Sequence, residues 1–414
     1  MIEQKYKEMS LGDIKDILDK TIKHDDNNKI ITFLGMLLAF TEDSQFNILF
    51  NSPSSTGKSY IPLEVVKLFP KDSVMKFGYC TPTAFYHNNS NVKKTDSFDY
   101  TVDLSRKILI FIDQPHSGLL ANLRPMLSHD EKEIEVNITD KKNKGGMQTK
   151  KVTMIGYPVV VYCTANSRID EQEITRFFVL SPELTQNKIK EGIEHAIKSE
   201  SLGDNYKNNI YLDEDYLNLK SRLNDIKNIK IDNIIIKDHS KIQDEFKNKG
   251  SVESKDMRSV KRLISIIKSV TLLNVWFRER SGDGKTIYSN EKDIEEGLKI
   301  WNIVSESENF GLSSYMLDIF EKVVYPLSED VSFDKNTDGI TRKQIMNKYY
   351  EVFGRYLPLY TLRSEIIPIL SRTGLIYEDD DPKDKRIKLI FINPNYKEKW
   401  LRKLESKVEN NPVS

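Results

Sequence analysis

Cysteine is scarce in these 414 residues: only Cys80 and Cys163 occur, each in or beside an apolar, strand-like segment. Isolated thiols of that kind read as buried free cysteines, which excludes a disulfide scaffold and a cysteine-based metal cluster. Long apolar runs are missing too. The longest, Ile30–Phe40, is interrupted by Thr32 and falls far short of the roughly 20 residues a membrane span needs. The opening MIEQKYKEMS lacks the apolar core of a secretion signal. Net charge is absent as well, with 62 basic against 62 acidic residues, so any basic site has to be local. His116 and His129 lack metal-ligand partners at useful spacing, and no Ser-His-Asp or Cys-His arrangement is supported. The expectation is a soluble, cytoplasmic protein, with no membrane contact, long enough for two or three domains.

What is present is an alternation of apolar strands and helical patterns. Phe46–Phe50 is a short apolar strand that runs into NSPSSTGKSY and then a helix from about Ser59 to Leu68. Lys107–Asp113 has strand length and ends on an acid; helix signal follows over Leu119–Leu127. Glu133–Thr139 and Gln148–Gly156 flank the turn-rich KKNKGG and predict a β-hairpin. Pro158–Cys163 and Phe177–Leu180 are two more strands. This order predicts an α/β fold, a parallel sheet between helices with the hairpin inserted.

Helical patterns also cover 12–24 and Asn28–Thr41, and from Thr185 onward they dominate, most strongly over Met257–Arg280 and Glu291–Val304. Near the C-terminus, helices over Thr341–Phe353 and Leu359–Arg372 precede the hairpin-like GLIYEDDDPKDKRIKLIFI, the plan of a winged-helix domain. Pro368 is expected to bend or shorten the second of these helices. The expected division is an N-terminal helical segment 1–24, an αβα core 25–185 carrying the hairpin 133–156, a helical region 186–325, a winged helix 330–396 and a tail 397–414.

The chemistry concentrates at Ser52–Ser59. This stretch follows the phosphate-loop pattern G-x-x-x-x-G-K-[ST], with Ser52 in place of the first glycine. Ser54, Ser55, Thr56 and Gly57 are candidates for curling backbone N–H groups around a phosphate. Lys58 supplies a cation for the outer oxygens, and Ser59 a hydroxyl for magnesium. ATP and Mg2+ are the expected ligands. Downstream, Asp113 ends its strand 54 residues after Ser59 and is a second magnesium-side group. Asn166, at a polar strand tip, is placed to orient water; Arg176 stands just before a strand; Arg258 opens a helix.

In that order these residues resemble the AAA+ ATPases, and within them the branch with a β-hairpin before sensor 1, which includes the minichromosome-maintenance helicases. The resemblance covers about residues 25–310, more weakly the winged helix, and extends to helicases of mobile genetic elements. It implies a helical lid over 186–325, Asn166 as sensor 1, Arg258 as sensor 2 and Arg176 as an arginine finger acting on the neighbouring subunit. A finger used in trans implies a homo-oligomeric ring, with a hexamer expected.

One residue departs from the family. Gln114 follows Asp113 where a glutamate base is usual, and an amide orients water but cannot take its proton. Three explanations fit the sequence: a slow or switch-like ATPase, an exchange of glutamate for glutamine that traps nucleotide, or a substitute base among Asp130, Glu131 and Glu133.

Asp140–Lys151 sets five lysines against one aspartate. Lys141, Lys142, Lys144 and Lys150 thus form a basic hairpin suited to phosphate contact without sequence readout. The resemblance implies that this hairpin grips a DNA strand in a ring pore. A second candidate DNA site comprises Arg363 with the wing residues Lys385 and Arg386. The expected function is an ATP-driven DNA helicase or translocase of a plasmid, virus or integrated element. An origin-binding initiator or helicase loader, which lacks the hairpin, is the alternative, and a non-hydrolysing ATP-gated scaffold is the third.

Overall fold

A computed structural model describes residues 5–87, 92–94, 100–140, 148–165, 175–203, 209–247, 256–310, 312–330, 339–382 and 384–394. The chain divides into two compact units, Met1–Pro182 with Glu191–Glu306, and Glu183–Lys190 with Ser307–Ser414.

In the first unit nine strands form two sheets. They are β1 (Asn47–Asn51), β2 (Val74–Phe77), β3 (Val92–Lys94), β4 (Tyr100–Asp103), β5 (Ile108–Phe111), β6 (Glu133–Asp140), β7 (Gln148–Ile155), β8 (Val159–Thr164) and β9 (Phe177–Leu180). The main sheet is parallel throughout and runs β2-β5-β8-β1-β9. Every residue of β1, β5 and β8 is buried, which is why these strands read as unbroken apolar runs. Successive side chains serve opposite faces. Ile48, Phe50, Ile110, Val161 and Cys163 pack among the helices Asp26–Leu37, Tyr60–Val65 and Asp256–Leu273. Leu49, Leu109, Phe111, Val160 and Tyr162 pack on Leu119, Leu120 and Leu123 of the Ser117–Leu127 helix. Each such side chain contributes about 1.5–3 kcal/mol by leaving water. Edge strand β2 is only half-buried around an exposed Lys76, so its sequence carried no clear strand signal.

The predicted hairpin is present as β6 and β7, paired from Glu133↔Ile155 to Asp140↔Gln148. Ile134, Val136 and Ile138 pack on the core while Glu133, Glu135 and Asn137 are exposed, the period-two pattern of a half-buried strand. The hairpin is not a lone insertion: β4 lies parallel to β7 and β3 pairs with β4, giving the order β3-β4-β7-β6. Gly156 fixes its root. It has φ +92, and a Cβ there would sit 2.2 Å from Ser105 Oγ and 2.5 Å from Ser105 N, so no side chain fits.

The helical part of this unit contains a short parallel pair, β10 (Asn233–Ile236) with β11 (Thr286–Ser289). Beside it, Arg278 forms a two-pronged buried pair with Asp293 at 2.7 and 2.6 Å and reaches Glu8 at 2.7 Å. Among the described residues no helix is long and apolar enough to cross a membrane.

The second unit has its own core, built from the Ser314–Asp330 and Arg342–Phe353 helical stretches, the Leu359–Arg372 stretch and an antiparallel pair, β12 (Ile376–Asp380) and β13 (Lys388–Ile392). Ile340 adds an antiparallel bridge to Ile390. Pro368 does not end its helix. The turn over Leu362–Ile366 widens to a π-helix and the chain continues helically to Arg372. Proline lacks an N–H and crowds the carbonyl four residues back, and the wider turn relieves both. Pro326, just after the π-turn Phe320–Val324, repeats the device.

Candidate functional site

The loop Ser52–Ser59 leaves the carboxyl end of β1, where a parallel sheet opens its ligand crevice. Its base is tied to β8 by a bond from Ser52 N–H to the Thr164 carbonyl at 3.4 Å. Thr56 Oγ1 donates to the Pro53 carbonyl at 3.0 Å. Ser55, with φ +63, and Gly57, with φ +89, turn the backbone through the left-handed region and curl the loop. A Cβ on Gly57 would meet nothing within 4 Å, so the space above it is open. The Gly57 carbonyl accepts from Tyr60 and Ile61 N–H and starts the Tyr60–Val65 helix. Lys58 is half-buried, and its ammonium reaches only the Pro53 carbonyl, at a long 3.4 Å, among the described residues. Ser52 Oγ is buried and finds no partner among the described residues. Open space over Gly57, an under-used ammonium and an orphaned hydroxyl fit a bound polyanion such as a phosphate chain.

Neighbouring strands bring the other groups to the same edge. Asp113 is exposed two residues past β5, and its Oδ1 accepts the Gln114 N–H at 2.8 Å. Thr164, the last residue of β8, donates through Oγ1 to Gln114 Oε1 at 3.1 Å. Beneath them Cys163 is buried, its Sγ donating to the Lys58 carbonyl at 3.4 Å. Burial pushes this thiol up to about 12; nearby Lys58 opposes the shift and Asp113 adds to it. Both charges of the candidate site therefore act on one buried sulfur, which stays protonated. Lys58, Ser59, Asp113 and Gln114 are gathered at one edge; Asn166, two residues beyond Thr164, lies outside the described residues.

The arginines fall elsewhere. Arg176 precedes β9, which pairs with β1 in the register Asn47↔Phe177. Arg176 thus stands level with Phe46, about 20 Å of strand from Ser52 at ~3.3 Å per residue. It lies at the opposite edge of the sheet from Lys58, with Nε donating to Ser128 Oγ at 2.7 Å. Arg258 is exposed at the start of the Asp256–Leu273 helix. One turn on, Arg262 donates to the carbonyls of Thr175 and Phe177, both at 3.0 Å, and its guanidinium lies 4.9 Å from the centre of the Phe178 ring. Sequence reasoning missed Arg262. Its only signal was its place four residues after Arg258, on the same helix face.

Of the basic candidates, Lys141, Lys142 and Lys144 lie outside the described residues, and Lys150 is on β7 opposite Ile138. Arg363 is exposed in the second unit. Lys385 is exposed, while Arg386 is paired with Asp384 at 2.8 Å and Lys388 with Asp380 at 2.5 Å. His116 Nδ1 accepts Gly118 N–H at a helix start, and His129 is held against Tyr157, both structural roles. Cys80 and Cys163 are free and buried. Among the described residues no three His, Cys, Asp or Glu side chains converge on a metal position. Against models of known protein families and against curated proteins, the chain matches none.

Proposed function

We propose that the chain is an AAA+ ATPase that binds Mg-ATP in the Ser52–Ser59 loop and couples it to nucleic acid as a helicase or translocase. The observation that carries this is the strand order. The phosphate-loop strand β1 sits between β9 and β8, and β8, ending in Thr164, separates it from the Asp113 strand β5. That arrangement supports β8 as the sensor-1 strand and the segment from Asn166 as its polar tip.

Roles follow from position. The N–H groups of Ser54, Ser55, Thr56 and Gly57 cradle phosphate oxygens, and the Lys58 ammonium neutralises the outer ones. Ser59 and Asp113 would hold a magnesium ion, which when bound would supply charge to the same oxygens. Gln114, fixed by Thr164, orients water without accepting its proton. Arg176, at the far edge of the sheet, serves the site of an adjacent subunit in an oligomeric ring, and Arg258 approaches from the helical region as the lid arginine. The second unit is a winged helix, and the β6–β7 hairpin carries its lysines to the DNA.

The Gln114–Thr164 bond, which holds an amide where a proton acceptor would be needed, favours a second reading, a non-hydrolysing ATP-gated scaffold. Forked-DNA unwinding with the chain and with Gln114→Glu separates the two. Strand separation that needs ATP and is lost in Lys141→Ala/Lys142→Ala/Lys144→Ala supports the helicase; ATP binding without DNA-stimulated hydrolysis in either form supports the scaffold.

A further inference from the structure

In the second unit, exposed large apolar side chains fall close together in the sequence, at the corner where the Arg342–Phe353 helix turns into the next. Tyr350 closes the Arg342–Phe353 helix and is 61% exposed; Tyr356, two residues past Gly354, is 74% exposed; Leu359 and Tyr360, opening the next helix, are 51% and 76% exposed. Elsewhere in this unit, among the described residues, Ile189, Tyr377 and Ile387 are the exposed large apolar side chains, all less exposed than these four, and Tyr377 is already stacked on Phe391 at 5.3 Å. The corner's architecture does not use these rings. Its core is made by Tyr349, Phe353, Leu357 and Leu362 instead, with the Tyr349 and Tyr315 hydroxyls bonded at 2.8 Å.

Charge follows the same division. From Arg342 to Arg363 five basic residues stand against the single acid Glu351; Lys348 pairs with that acid at 3.2 Å, while Lys343 and Arg363 are exposed. On the β12–β13 hairpin, by contrast, Glu378, Asp379, Asp380, Asp381 and Asp384 outnumber the cations. Arg386 and Lys388 are tied to two of these acids, and Glu378 also holds Arg342 at 2.7 Å. The hairpin's five acids against Lys383, Lys385, Arg386 and Lys388 leave it at −1, where the Arg342–Arg363 stretch, with five bases against one acid, stands at +4 and is the better ground for a polyanion.

We propose that the Tyr350–Tyr356–Tyr360 corner is a binding site for an unpaired nucleic-acid strand, its bases stacking on the tyrosine rings and its phosphates paired by Lys343 and Arg363. Bases in a duplex are stacked on each other and offer no free face, so the exposed rings select single strands. Stacking is indifferent to base identity, and the cations make binding salt-dependent. The site works without nucleotide and does not depend on the phosphate loop. It adds to the nucleic-acid role proposed above a second grip, remote in sequence from the β6–β7 hairpin.

The test is binding of fluorescein-labelled oligo-dT, oligo-rU and a duplex of equal length to the full chain without ATP, across a salt series. Tyr356→Ala/Tyr360→Ala is expected to weaken both single strands at least about 10-fold. Tyr356→Phe/Tyr360→Phe keeps the rings and binds like the parent, while Arg363→Ala lowers the salt slope by about one. Equal binding by the parent and the alanine pair, with circular dichroism unchanged, overturns the proposal, and so does preferential loss of duplex binding. A parallel Lys141→Ala/Lys142→Ala/Lys144→Ala variant keeps the two grips apart: loss only there sinks the corner, and loss only in the tyrosine pair sinks the hairpin. Binding of dT but not rU, or the reverse, identifies the strand.

Discussion

The Thr164 hydroxyl donates to the side-chain carbonyl of Gln114 across 3.1 Å, joining the end of β8 to the residue that follows Asp113. The amide is thereby held in one orientation at the carboxyl edge of the sheet. A glutamate at this position accepts the same bond, since a carboxylate oxygen replaces the amide oxygen, and so acquires a proton-accepting group with no loss of anchoring. Gln114→Glu is therefore expected to raise ATP hydrolysis at least about 10-fold, within the range a positioned base supplies, and to leave ATP affinity nearly unchanged. Single-turnover phosphate release measures it; an unchanged rate assigns the base to another acid.

Arg176 and Lys58 lie at opposite edges of the sheet, so one chain cannot bring both to a ligand bound at the Ser52–Ser59 loop. In the Gln114→Glu background, Arg176→Ala is expected to bind ATP but lose about 10³-fold in hydrolysis, and Lys58→Ala to lose both. Mixed, the two inactive proteins should regain activity, because a Lys58→Ala subunit still lends its arginine to an intact site. Absence of recovery in stable mixed oligomers rules out action in trans.

Lys29 is wholly buried and bonded to Asp19, to Asp26 at 2.7 Å and to the His24 carbonyl at 3.1 Å. Burial raises the Asp19 carboxyl, but hydrogen bonds from Lys15 and Lys29 outweigh it and hold the group below the ordinary 3.8. A carboxyl depressed in the folded state contributes stability above its unfolded pKa and loses it as pH falls through the folded one. Asp19→Asn should cost about 1–2 kcal/mol at pH 7, less than a fully buried pair because Asp26 remains. Urea midpoints of parent and variant should converge as pH falls below about 4. Parallel midpoints down to pH 3 count against the pairing.

Legibility in the sequence followed from how local each signal was. The phosphate loop was readable because its chemistry prescribes residue types at consecutive positions, and β1, β5 and β8 because burial on both faces leaves no polar gap. The β6–β7 hairpin announced itself through alternating residues around Gly145-Gly146. By contrast β4, β10 and β11 are as short as β5 but buried at only one or two positions each, so burial imposes too little pattern on their residues to mark them. Arg262 was missed because its carbonyl acceptors exist only once β9 is in place. The Gln114–Thr164 bond was invisible for the same reason, although Gln114 itself stood out.

Isothermal titration of ATP with magnesium into the chain and into Lys58→Ala tests whether the Ser52–Ser59 loop is a nucleotide site. One saturable site per chain is expected for the parent. Affinity should be lower by roughly 10- to 100-fold in the variant, the loss of one charge-assisted contact, with unchanged thermal stability because among the described residues the Lys58 ammonium makes only a long contact to Pro53. No saturable binding by the parent, or equal binding by both proteins, contradicts it.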